Sequence, residues 1–202
     1  MLFGQTMKTV FSYLGALAVM GALSTSLAFA QSRSFKDQDL NGKSFAGQAL
    51  DSADFSGATL VGVNFRGASL KGAKFDGAQV QNTNLAGADL TGADMRNMFG
   101  VQYLFFSQKT NFTEVNMEGL DLKGQPFYQV NFRNANLRHT TGWNQIFNCS
   151  FRGADLRGAN LMSAQQGGTE GMFVGAIYDE STIWPKWFDV AQSGILPIKY
   201  HI

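Results

Sequence analysis

Residues 53–72 read Ala53-Asp54-Phe55-Ser56-Gly57, Ala58-Thr59-Leu60-Val61-Gly62, Val63-Asn64-Phe65-Arg66-Gly67, Ala68-Ser69-Leu70-Lys71-Gly72. The step is five. Working outward, the same step places Phe35, Leu40, Phe45 and Leu50 before this stretch, and Phe75, Val80, Leu85, Leu90 and Met95 after it. A small residue stands two places before most of these, as at Ala73, Ala78, Ala88 and Ala93. Gly or Asn stands two places after them, as at Gly77, Asn82, Gly87 and Asn97. A period of five is neither 3.6 nor 2, so neither an amphipathic helix nor a half-buried strand accounts for it. Self-similarity at a fixed period marks a stacked repeat architecture.

Units such as Ala53-Asp54-Phe55-Ser56-Gly57, Ala88-Asp89-Leu90-Thr91-Gly92 and Ala154-Asp155-Leu156-Arg157-Gly158 resemble the A-(D/N)-(L/F)-x-x unit of the pentapeptide-repeat family. The resemblance implies an all-β fold, a right-handed quadrilateral β-helix with one pentapeptide per side and four sides per coil. The fold hosts many functions, so it implies no particular one. In such a coil, residues twenty apart stack. Phe35, Phe55, Phe75 and Met95 then form one column, with Phe45, Phe65 and Leu85 opposite. Aliphatic columns fill the other two sides, which packs a narrow tube without voids. The Ala positions share the interior and must stay small, and Gly or Asn suits a corner whose backbone is closed to most residues.

The chain has 202 residues and a formal net charge of +1. Residues 1–30 lie outside the repeat. Lys8 precedes an apolar run from Val10 to Leu23, and Ala28-Phe29-Ala30 follows, the pattern of a cleaved secretory leader. The mature chain is then expected to begin at Gln31, to be exported to a periplasm or thylakoid lumen, and to have no further membrane association. The single cysteine, Cys149, excludes an intramolecular disulfide and occupies an Ala slot, where it reads as a small core residue.

The repeat domain spans residues 31–163, with breaks at 98–109 and 138–144. Its three registers give 23 units, nearly six coils and a length of about 30 Å. Residues 164–202 read as a C-terminal cap over the open end. In that cap Pro185 would open a short helix that Gly194 ends, with Trp187 and Val190 among its buried side chains.

Chemistry-bearing motifs are sparse. Residues 37–44 match G-x-x-x-x-G-K-S except that Asp37 replaces the first Gly, and no strand-then-helix context surrounds them. His139 and His201 have no partner at metal-ligand spacing. The carboxylates, among them Asp89 and Asp94, fall on the repeat consensus. Arg133, Arg138, Arg152 and Arg157 share the slot after the core residue and could form a basic strip.

No catalytic residue, cofactor or metal site is expected, and the neutral charge argues against nucleic acid. The expected function is a non-enzymatic scaffold whose partner is another protein. The alternatives are a regulator acting by mimicry, which an acidic stripe would favour, and an exported enzyme. A homodimer through a coil end is one form the partner could take. The candidate partner surface is Tyr103, Leu104, Phe105 and Phe106 in the first break, with Trp184 and Trp187 in the cap. The competing reading, favoured because exposed apolar patches are uncommon on soluble monomers, is that these aromatics fold inward to fill a degenerate side.

The register can be tested directly. Leu70→Asp should bury an unpaired carboxylate and lower stability by several kcal/mol or prevent folding. Lys71→Glu, one residue on and pointing outward, should be nearly neutral by comparison. Equal damage from both in a urea series would refute a five-residue step.

Overall fold

The computed structural model describes residues 33–106, 110–167, 171–190, 193 and 195. The leader pattern, Gly194 and His201 lie outside the described residues. The turn that ends each side explains the repeat. At Leu50-Asp51-Ser52-Ala53, the Ala53 N–H donates to the Leu50 carbonyl, and Ser52 has φ 59°. A closed four-residue turn with positive φ at its third residue is the type II signature, and it turns the chain through a corner. The same bond recurs from Ala58 to Phe55, Val63 to Leu60 and Ala68 to Phe65, so four corners close a coil.

Each side then pairs with the coils above and below. On side 1, parallel bridges link Ser34, Asp54, Lys74, Asp94, Asn116, Asn136, Asp155 and Ile177 in succession. Those eight rungs span seven layer spacings, about 34 Å at one strand spacing each. Side 2 carries Asp39, Thr59, Gln79 and Phe99. Side 3 carries Ser44, Asn64, Asn84 and Phe105 and continues as β1 (Phe127–Tyr128), β2 (Gln145–Phe147) and β3 (Gln165–Gly167), a parallel sheet in that order. Side 4 carries Ala49, Ser69, Asp89, Asn111, Asn131 and Ser150. The fold is all-β, a right-handed quadrilateral β-helix.

The residue before each core position faces out, and where it is Asp or Asn its side chain has a recurrent task. Asp54, Asn64, Asn84, Asp89, Asn111, Asn116, Asn131 and Asn136 each accept, through Oδ1, the backbone N–H two residues on. That N–H begins the corner. The Asp/Asn of the repeat is therefore an Asx cap on the turn.

The interior is a stack of rings. Phe35, Phe55 and Phe75 lie 4.9 and 5.2 Å apart in a parallel stack, and Phe45 and Phe65 stack opposite at 5.3 Å. Above these, the arrangement changes. Side 1 turns aliphatic, and the rings move to neighbouring sides, with Phe106 on Phe127 and the column Phe112, Phe132, Phe151, Phe173.

Both breaks are corner events, and neither interrupts stacking. Between Met95 and Phe112 the core positions fall at 100 and 106, so two corners each hold one extra residue. The first is the 3-10 turn Val101–Tyr103. Residues 107–109, between Phe106 and Phe112, lie outside the described residues. In the other break one residue is missing between Leu137 and Ile146. Trp143, fully buried, fills the space and donates its indole N–H to Thr140 Oγ1 at 3.1 Å.

Pro126 cannot donate the ladder bond that the Leu104 carbonyl would receive. The Gln125 side-chain amide donates to it instead, at 3.2 Å.

Layering continues past residue 163, since Gln165–Gly167 pairs with β2, and Ile183 bridges Asn160. These layers make the stack longer than the register count of six coils. No helix follows Pro185 among the described residues. The chain makes a turn there, with the Phe188 N–H donating to the Pro185 carbonyl. Trp184 and Phe188 instead pack on Phe173, and Val190 is half-buried. The Trp187 indole N–H donates to the Ala164 carbonyl at 2.6 Å, the role a further layer would play. End cover by rings takes precedence over local helix formation here.

Gly142 sits at a core position with φ 70°, and a Cβ there would lie 2.7 Å from the backbone nitrogen of Lys123. Gly92 has φ 66° with open space around it. Gly92→Ala should cost about 1–2 kcal/mol, the left-handed strain alone. Gly142→Ala should cost about 1–3 kcal/mol more, since a backbone atom must move. Equal costs in chemical denaturation would contradict the close approach.

Candidate functional site

The four sides differ in charge. On side 1, Arg96 pairs with Asp94 at 2.7 Å, Arg138 with Glu118 at 3.8 Å and Arg157 with Asp155 at 2.5 Å. Side 2 holds Lys123 with Asp121 at 2.5 Å, and side 4 holds Lys71 with Asp89 at 3.4 Å. The four arginines of the expected strip split between sides, Arg133 and Arg152 on side 4 and Arg138 and Arg157 on side 1. Side 3 is different. From Asn84 up to Gln165 it carries no charged side chain among the described residues.

That side also holds two of the four exposed rings among the described residues. Phe105 occupies its outward slot and is 56% exposed; Tyr128, in the next layer, is 48% exposed. Tyr128 stacks on Phe147 at 5.6 Å and its hydroxyl hydrogen-bonds to Gln145. Tyr103 stands at the corner with side 2, where Phe99 fills the outward slot, and both are more than half exposed. Gln102 and Gln129 are the chain neighbours of Tyr103 and Tyr128.

The sequence candidates therefore separate. Tyr103 and Phe105 face solvent. Leu104 occupies an Ala slot and is buried, and Phe106 stands at a core position with its ring 5.1 Å from Phe112 and 5.4 Å from Phe127. Leu104 and Phe106 offer no docking surface. Trp184 and Trp187 are half-buried and pack against the core. Phe99, Tyr128 and Phe147 were missed, although each flanks a core position where the repeat elsewhere has a polar residue.

The remaining motifs are absorbed by the fold. In residues 37–44 the N–H groups of Asp37, Gln38, Leu40, Gly42 and Lys43 donate to backbone carbonyls, and that of Asn41 to Asp39 Oδ1. Too few remain to cradle a phosphate. Cys149 is buried beneath the Phe127 carbonyl, and burial pushes its thiol up to about 11, which makes it a poor nucleophile. His139 sits at a corner with φ 57°. No cluster of metal-ligating residues occurs among the described residues, and no helix there is long and apolar enough to cross a membrane.

The family model for pentapeptide repeats matches in eight copies, over residues 34–67, 64–98 and 108–141. A pentapeptide repeat protein from the thylakoid lumen of Arabidopsis thaliana is 30% identical over 64% of this chain and 69% of its own, with a TM-score of 0.30. The chain belongs to the pentapeptide repeat family. Two further structures are similar to this pentapeptide repeat protein. HetL, involved in heterocyst differentiation regulation in Nostoc sp. strain PCC 7120, is 25% identical over 71% of this chain and 75% of its own, with a TM-score of 0.29. QnrB1, a plasmid-mediated fluoroquinolone resistance protein, is 16% identical over 74% and 91%, with a TM-score of 0.29. No curated protein matches the chain.

The Asx carboxylates of the pentapeptide repeats set its response to acid. The Ser56 hydroxyl and N–H hold Asp54 below the usual carboxylate range, and Arg96 and Lys123 do the same for Asp94 and Asp121. Burial alone would raise Asp89, Asp155 and Asp179, but hydrogen bonds from Thr91, Arg157 and Ser181 outweigh it, and all three are lowered. A group with a depressed folded pKa stabilises fully above its unfolded value, about 3.9, and the gain disappears as pH falls through the folded value. Stability should be flat between about pH 5 and 7 and fall below about pH 4. Replacing Asp54 and Asp89 with Asn keeps the Oδ1 acceptor but removes the charge, so the denaturation midpoint at pH 7 should fall modestly and the acid loss should shrink by a matching amount. An unchanged acid limb in that variant would overturn the assignment.

Proposed function

We propose that this chain is an exported, non-enzymatic binding module that presents the uncharged aromatic surface of Phe99, Tyr103, Phe105 and Tyr128 to a protein partner. One observation carries the reading. The rings stand outward at positions where the solenoid needs only a polar cap or a corner residue, so they add nothing to the fold that Asn or Asp would not supply. Interface centres are depleted of charge and enriched in aromatics, as this surface is. Binding residues on a rigid scaffold need no ordering on association.

Pentapeptide repeat proteins are generally structural or interaction modules. Mimicry of a polyanion is disfavoured here, because Asp89, Asp94, Glu118, Asp121 and Asp155 each face a cation. Export rests on the leader pattern of residues 1–30, and the family includes a thylakoid-lumen member.

The test is a Tyr103→Ser, Phe105→Ser double variant beside Phe106→Ser. The double variant should keep its stability within about 1 kcal/mol and lose capture of partners from the exported fraction. Phe106→Ser should cost about 3–5 kcal/mol. A large loss of stability in the double variant, or unaltered capture, would end the docking reading.

A further inference from the structure

The uncharged side has the chemistry that a second copy of itself would fit. We propose that side 3, over the layers carrying Phe105, Tyr128 and Phe147, docks against the same side of a second copy about a two-fold axis. This rests on the reading above that the aromatic surface is the working surface, and it names the partner.

A two-fold interface sets a patch against its own composition, so any net charge in the patch meets its own sign. Sides 1 and 4 carry charged groups in successive layers, and side 2 carries the Asp121–Lys123 pair in its middle. Side 3 alone is uncharged from Asn84 to Gln165 among the described residues. Its polar groups, Asn84, Gln129 and Gln145, are amides. An amide carries both a donor and an acceptor, and so can pair with a copy of itself. The apolar centre, Phe105 with Pro126 above it and Tyr128 stacked on Phe147, buries equally well against its own image. The backbone of this side is held by parallel pairing from β1 to β3, so two copies can meet without rearrangement.

One solenoid side is narrow, at the low end of stable interfaces, so dissociation is expected in the micromolar range. With no charge at the contact among the described residues, the constant should shift less than about threefold between 50 and 500 mM salt. Sedimentation velocity of the purified full chain from about 1 to 300 μM measures both. Phe105→Lys and, separately, Tyr128→Lys each place two ammonium groups across the axis and should weaken association at least tenfold, with unfolding midpoints near that of the parent. Two positions are used so that a failure to fold at one leaves the other decisive.

A chain that stays monomeric to 300 μM overturns the proposal. So does a dimer that persists undiminished in both lysine variants, which would place self-association elsewhere, for example at a coil end. If the chain is monomeric yet Tyr103→Ser with Phe105→Ser still abolishes capture of another protein, self-docking fails while the binding-module reading stands.

Discussion

Every layer of this solenoid depends on the backbone N–H groups that each side donates to its neighbouring layers. The outward residue donates to the layer below, as Lys74 does to the Ala53 carbonyl, and the core residue donates to the layer above, as Phe55 does to the Lys74 carbonyl. A side of five residues offers few such bonds, so each must be made or replaced. The rest of the repeat follows from this. Ala beside the core residue lets four sides approach closely enough to fill the tube. Asp or Asn caps the N–H that the corner leaves over. The positive-φ corner turns the chain in time to begin the next side.

Departures from the consensus show how strictly the accounting is kept. Thr83, Thr110 and Thr182 occupy Ala slots, and each buried hydroxyl donates to a core-residue carbonyl in the layer below. Pro126 removes a ladder donor, and the adjacent Gln125 supplies another from its side chain. The substitution is incomplete, because Gln125 Oε1 is left buried without a partner. At the far end, Trp187 serves the carbonyl of Ala164. A lost backbone donor is thus met by a side-chain N–H at both places, once in mid-stack and once at the end.

The same accounting explains what was legible in the sequence. A step of five revealed the columns from Phe35 to Met95 because every corner there has the same length. It lost the frame between Met95 and Phe112, where the offset of 17 is 5 + 6 + 6. Corners face solvent and can take in a residue, as the turn Val101–Tyr103 does, while the layer spacing stays fixed by the ladder. Sequence periodicity counts residues, whereas the fold counts layers. Leu104 and Phe106 therefore looked like part of an irregular insertion, although they stand in an Ala slot and a core slot. The missing residue before Ile146 is the opposite case, and Trp143 makes up the lost volume. The segment from Trp184 to Phe188 was harder to read, since Trp184, Trp187 and Phe188 obey no period and are placed by the core they pack against.

Phe105 and Phe106 make the argument for function at its smallest scale. They are neighbours of the same type, yet one is more than half exposed and the other packs between Phe112 and Phe127. Successive residues of an extended side point to opposite faces, so a single residue step separates stability from display. The ladder fixes the backbone whatever stands in the outward slot, which leaves that slot free to vary wherever no cap is required. Over most of the solenoid it holds polar residues that serve the corners. On side 3, from Phe105 upward, it holds Phe, Pro and Gln without a single charge. A binding surface can arise on such a scaffold by changing the outward residues of a few adjacent layers, at little cost to the core beneath them.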